Sequence, residues 1–518
     1  MRISPVFSDN MVLQAHTPVR IFGSCDAGEK ITVTIPELSV SAAAFVDGER
    51  WEAVLPPMEY ADCVTVSVAS GGESVVFRNV AVGEVWLAGG QSNMEFELHS
   101  DKNGMSELSS CASENIRYYY TPKQPLVNEE LFAAEENTGW MLPSETASWA
   151  WSAAAYYFAK ELSRRLGVTV GILGCNWGGT SATAWMSREY LEHDDRLKPY
   201  LDDYDSAVEG RTDEEMIREY DEYTVYQADW EKRMQEYYAE HPLALWDDVL
   251  KICGENRYPG PMGMKNPMRP CGLYETMVKR VAPYTIKGVL WYQGESDDCR
   301  PEAYSTLLPA MIQCWRDTWK DDTLPFLIVQ LPMFRYEGDP DYKHWAVIRE
   351  AQLHTFRTVR NTGLAVILDC GEFNNIHPVR KAQVGHRLYL QALSEVYGET
   401  DRSETLPPIF RTAYRSENGD MRLLFDNCEG FVLKGSSTPE GFEYAGADGV
   451  FRPAEACIDG NEIVLKCREE GVRAVRFQWI NYALVTLFGT NGLPVPPFRW
   501  GEALPEQDTA EATVIRTV

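Results

Sequence analysis

The chain has 518 residues, too many for one ordinary hydrophobic core, so two or three domains are expected. Its make-up, 44% hydrophobic and 24% charged, is that of a soluble globular protein, and no run of about 18 apolar residues marks a membrane span. The formal net charge of −29 repels nucleic acid and anionic membrane surfaces, so neither is expected as a partner. That field does not identify a substrate. A neutral one fits more easily than a polyanion, although a local basic patch can still hold one carboxylate.

The N-terminus, MRISPVFSDNMVLQ, lacks an apolar signal-peptide core and a small-residue cleavage site. The expected location is cytoplasmic, with a mature secreted form as the alternative. Residues 1–80 read as a β-sandwich-like domain: VRIFGS, KITVTI, WEAVL and VTVSVAS are short β-branched runs between turns. Over 81–401 apolar strands alternate with amphipathic helices. The expected strands are 82–89, 168–175, 286–293, 325–332 and 363–370, and the helices 152–166, 304–319, 344–359 and a last one from near Pro378 to about Val396. This is α/β: an α/β/α sandwich with a mostly parallel five-stranded sheet, flanked by β-rich N- and C-terminal regions. An acidic, tyrosine-rich helical insertion, about 197–250, interrupts it; it either covers a site or is a solvated helix pair. Residues 402–518 form a second β-rich region, with MRLLF, GFVLKG, EIVLKC and AVRFQWI as its strands. The 12 cysteines stand singly, and Cys175 and Cys370, in apolar runs, read as small buried hydrophobes in a reducing compartment.

Parallel α/β sheets carry their sites at the carboxyl ends of strands. After the first strand comes Gly89-Gly90-Gln91-Ser92-Asn93-Met94, a tight turn into a helix. Ser92 reads equally as a nucleophile whose own N–H faces an oxyanion and as a helix N-cap. The G-x-S-x-G elbow fails at Met94. After the second comes Asn176-Trp177-Gly178-Gly179-Thr180-Ser181, whose glycines expose N–H groups; the P-loop lysine is missing, so an oxyanion donor or a plain tight turn fits. After the third comes Gln293-Gly294-Glu295, where Gln293 can donate to an oxyanion and Glu295 can orient a histidine, unless both belong to a capping loop. After the fifth comes the run from Asp369 to Pro378, with His377 placed to reach across the strand ends or to serve structurally. The chain's eight histidines show no metal spacing, so no metal and no cofactor is called for. Together the strand ends supply a nucleophile, a base, an acid and oxyanion donors, the set that acyl transfer requires.

GQSNM, WGGT, WYQGESD and NIHP-x-x-K-x-x-VG-x-RL resemble the blocks of sialate O-acetylesterases and related carbohydrate acetylesterases of the SGNH-hydrolase superfamily. FSDNMVLQ, residues 273–297, REAQ (349–352) and residues 489–500 extend the resemblance over nearly the whole chain, the acidic insertion excepted. The resemblance implies a serine esterase that removes acetyl groups from an acetylated carbohydrate, with Ser92 as nucleophile, His377 as base, and Ser92, Gly179 (more than Gly178) and Gln293 as oxyanion donors. The sequence departs from the pattern at the acid, because Asn374 stands where many SGNH hydrolases have aspartate. By the same resemblance Glu295 is the expected acid, with Asn374 as a helper that orients His377 and with Asp369 and Glu372 as alternatives. The rival functions are an acetyl xylan or other plant-glycan esterase and a non-catalytic carbohydrate-binding homologue. Oligomeric state is not legible in the residues.

Overall fold

One strand organises the chain. In the computed structural model, which describes residues 1–241, 244, 246–467 and 471–501, β1 runs over Glu73–Gly90. Residues 242, 243 and 245 of the expected insertion, and 468–470 and 502–518 of the expected C-terminal region, lie outside the described residues. The first part of β1 pairs antiparallel with Ala61–Ser70, and Val12–Gln14 joins it in parallel at Ala81–Gly83. The rest of β1 is buried on both faces, as an apolar run in a parallel sheet must be. There β1 is flanked by β3 (Val170–Asn176) and β4 (Gly288–Tyr292), followed outward by β5 (Phe326–Gln330) and β6 (Thr362–Val366).

The sheet departs from the five-stranded expectation in two ways. A sixth parallel strand, β2 (Ile116–Tyr120), lies outside β3 at the edge. It was missed because an arginine interrupts its short IRYYY run. Arg117 is nonetheless buried, donating to the carbonyls of Asn10, Met11 and Asn79. Secondly, β1 continues out of the parallel sheet into the N-terminal β region, so the two share one sheet and one hydrophobic core. At the junction the buried Glu84 carboxylate accepts from Gln14, Tyr60 and Tyr397, which compensates its lost hydration.

Helices cover both faces. Side chains alternate along a strand, so Trp86 and Gly89 point oppositely. Trp86 meets Phe158 of α1 (Ala153–Leu166), ring centroids 5.1 Å apart. On the other face Gly89 leaves room for Trp291 and for Trp315 of α3 (Tyr304–Trp319). Between them in sequence lies α2 (Asp213–Glu240), the long acidic helix of the insertion, begun by a Thr212–Glu215 capping box. α4 (His344–Thr358) packs on α3, and α5 (Lys381–Glu395) packs on α1. α5 starts three residues after Pro378, later than expected, because Glu372 holds the preceding loop by accepting from the Val379 N–H at 3.1 Å. Cys175 and Cys370 are buried, as expected of small apolar side chains.

From Ile409 onward short antiparallel strands enclose a separate core rich in phenylalanine, with Phe410 and Phe498 stacked at 3.9 Å. Arg349 of α4 ties this region to the sheet. The buried guanidinium donates to the carbonyls of Leu331, Pro332, Ile480 and Asn481. Burial pushes it down to about 9.

The α1–α5 contact depends on Gly385, where a Cβ would lie 2.5 Å from the Tyr157 Cβ and 2.7 Å from the Phe158 nitrogen. Backbone cannot yield as a flexible side chain can. Gly385→Val is expected to cost about 1–3 kcal/mol or more by overpacking. The check is thermal unfolding, and a melting curve identical to that of the parent would contradict this account.

Candidate active site

The site forms where β1 ends. Gly90 has φ +137°, and a Cβ there would sit 2.1 Å from the Tyr292 carbonyl oxygen, so only glycine permits the turn. The Gln91 N–H donates to that same carbonyl at 3.1 Å, and Ser92 opens a single helical turn, Ser92–Glu95. Ser92 Oγ and His377 Nε2 are 2.8 Å apart. The loop that carries His377 is internally braced: Asn375 Oδ1 accepts from the His377 N–H, and Asn375 Nδ2 donates to Glu372. Burial pushes the imidazole down to about 4; the Lys381 ammonium adds to this and Glu95 opposes it.

The glycine turn after β3 stands beside Ser92. A Cβ on Gly178 would lie 3.2 Å from the Ser92 Cβ, so this turn adjoins the serine. The Gly178 N–H is taken by Glu95 Oε2 at 2.6 Å. Among the described residues no hydrogen bond engages the N–H of Gly179 or of Ser92. Gly179 has φ +75°, and a Cβ on it would meet the Tyr258 hydroxyl at 1.8 Å and the Met268 methyl at 2.6 Å. The segment after the helical insertion therefore walls the glycine turn. Tyr223 of α2 backs that segment, its ring against Gly260.

Three expected roles find different partners. Gln293 is fully buried, and its amide protons go to Asp297 Oδ2 at 2.6 Å and the Thr180 carbonyl at 3.2 Å rather than toward Ser92. Asp297 also accepts from Ser181 and the Ala182 N–H, so Gln293 locks two strand-end loops together. Asn374 turns away from His377: its Oδ1 accepts from the Glu337 N–H at 3.0 Å. Glu295 makes no hydrogen bond to His377; its Oε1 accepts from Asn93 Nδ2 at 2.7 Å. The alternatives are engaged too, Asp369 with Arg387 and Glu372 with the loop backbone.

Residue-type reasoning missed Asn93, Glu95, Tyr258 and Lys381. Asn93 and Lys381 lie inside the quoted GQSNM and NIHP-x-x-K blocks, a signal that was available. Nothing local marks Glu95 or Tyr258.

Residues 262–393 match the family described as carbohydrate esterase, sialic acid-specific acetylesterase. The sialate O-acetylesterase of Mus musculus is 26% identical, the match covering 96% of this chain and 94% of the mouse protein. The Homo sapiens sialate O-acetylesterase is also 26% identical, over 77% of this chain and 71% of its own length. The crystal structure of a carbohydrate acetylesterase from Xanthomonas citri superposes with a TM-score of 0.74 at 28% identity, covering 96% of this chain and 99% of that one. With the family's match spanning the Gln293 and His377 loops and the relatives extending over the rest, the chain resembles the sialate O-acetylesterases nearly throughout and is a carboxylic ester hydrolase.

Proposed function

We propose that this protein removes O-acetyl groups from carbohydrate through an acetyl-Ser92 intermediate, on an SGNH-hydrolase α/β/α core. The observation that carries the reading is the 2.8 Å hydrogen bond between Ser92 Oγ and His377 Nε2; among the described residues the N–H groups of Ser92 and Gly179 make no hydrogen bond. His377 takes the Ser92 proton as Oγ attacks the acetyl carbonyl. The N–H groups of Ser92 and Gly179 receive the negative charge on the carbonyl oxygen. The imidazolium returns its proton to the departing sugar oxygen as the C–O bond breaks. Water, deprotonated by His377, then hydrolyses the acetyl-serine and releases acetate. The relatives named for sialate favour an acetylated sialic acid, and acetate release from a panel of acetylated sugars separates that substrate from plant glycans.

Ser92→Ala should lower kcat on 4-nitrophenyl acetate by on the order of 10⁶, the scale of losing a serine-hydrolase nucleophile. Retained turnover would overturn the serine mechanism. Asn374→Ala removes an acceptor for Glu337, not a partner of His377, and should leave kcat/KM within about threefold of the parent. A large loss would restore Asn374 as the orienter.

The pH dependence has a definite sign. A base must be neutral to accept the serine proton, and His377, held down at about 4, is neutral above that value. The profile of kcat/KM should therefore stay flat as pH falls from 7 to 5 and decline below about 4. A decline centred near pH 6.5 would show an ordinary imidazole instead.

A further inference from the structure

Among the described residues no carboxylate hydrogen-bonds His377 in the way that orients the base of a serine triad, so the geometry of the Ser92–His377 pair needs another source. The side chain after the nucleophile supplies one. Asn93 is fully buried, and its Nδ2 donates both to Glu295 Oε1 at 2.7 Å and to the Ile376 carbonyl at 2.9 Å. Its Oδ1 accepts from the Lys381 ammonium. Ile376 immediately precedes His377, so one amide joins the serine's turn to the histidine's loop. The amide cannot be flipped, because a cation holds its oxygen and a carboxylate its nitrogen.

We infer that Asn93 and Lys381 are positioning residues for the Ser92–His377 pair: the amide clamps the two loops together, and the ammonium and Glu295 fix the amide between them.

Lys381 is itself fully buried, below the rings of Phe96 at 4.7 Å and Tyr292 at 5.4 Å. The charged or titratable groups that face it are Glu295, Cys370, Asp101 and Glu372; those that face His377 are Lys381 and Glu95. Burial pushes the ammonium down to about 7, with Glu295 the first of the groups opposing. In acid it is protonated and works against a second positive charge on the imidazole. Glu295 Oε2 has no hydrogen-bond partner among the described residues, and burial raises that carboxyl. Lys381 and Glu295 meet through the Asn93 amide, which also holds the loop that carries His377.

This inference rests on the Ser92–His377 reading and fails separately from it. Ser92→Ala tests that reading; the variants here keep Ser92. Asn93→Ala should lower kcat on 4-nitrophenyl acetate by about 10²-fold, the cost of a misplaced catalytic group, with KM within about threefold. Lys381→Met should move the acid limb of kcat/KM upward by about one pH unit or more, a change that a merely structural lysine would not produce. Normal kcat in Asn93→Ala together with an unmoved limb in Lys381→Met would overturn the proposal. If Lys381→Met does not fold, Asn93→Ala decides it: a kcat lowered about 10²-fold supports the proposal, and the parent's kcat overturns it.

Discussion

Two side chains 285 positions apart must meet at 2.8 Å, and no local preference of the chain brings them together. The parallel sheet does so. β1 and β4 are in register from Trp86 with Gly288 to Gly90 with Tyr292, so the turns that follow them emerge at one level. β6 ends two strands further out, and its long exit loop must travel back to Ser92. The loop crosses that distance braced by Glu372 and Asn375 from within and by Asn374 against Arg335 and Glu337 from outside. Asn374 has φ +60°, a conformation that asparagine tolerates better than a branched residue. Asn374 thus has a conformational role in the loop and holds it to the Glu337 backbone.

The parts of this arrangement that depend on backbone period and strand ends were legible in the sequence. Val170–Asn176 and Tyr304–Trp319 read directly from apolar runs and helical spacing. The approach of Ser92 to His377 followed, because a parallel sheet sends its strand ends to one edge. What failed was the assignment of side-chain partners. Gln293 has the right chemistry for an oxyanion donor, yet its protons are committed to Asp297 and Thr180. Glu295 sits in the right loop, yet Asn93 stands between it and the His377 loop. Which of several adjacent donors an amide faces is set by packing around it, and neither spacing nor composition records that. β2 escaped for a related reason: Arg117 looks like a surface residue until the three carbonyls that receive it are known.

The N-terminal β region is not an appendage on this view. It contributes strands to the same sheet and shares β1, whose far end carries the proposed nucleophile. Glu84, held by Gln14 and Tyr60 from one side and by Tyr397 from the other, pins the region to the end of the α/β unit. The C-terminal β region is attached differently, through the Arg349 guanidinium and the Arg499–Glu350 ion pair on α4, and keeps a core of its own.

The wall over Gly179 has a different origin from the machinery beneath it. Tyr258 and Met268 reach the glycine turn from the segment that follows the acidic insertion, outside the sheet, while Ser92, His377 and Asn93 are fixed by strand ends and buried charge. A change in the insertion or in the tyrosine turn that leans on α2 would therefore reshape this wall while leaving the contacts that hold Ser92 against His377 in place. The entrance and the strand-end residues beneath it thus rest on separate parts of the fold.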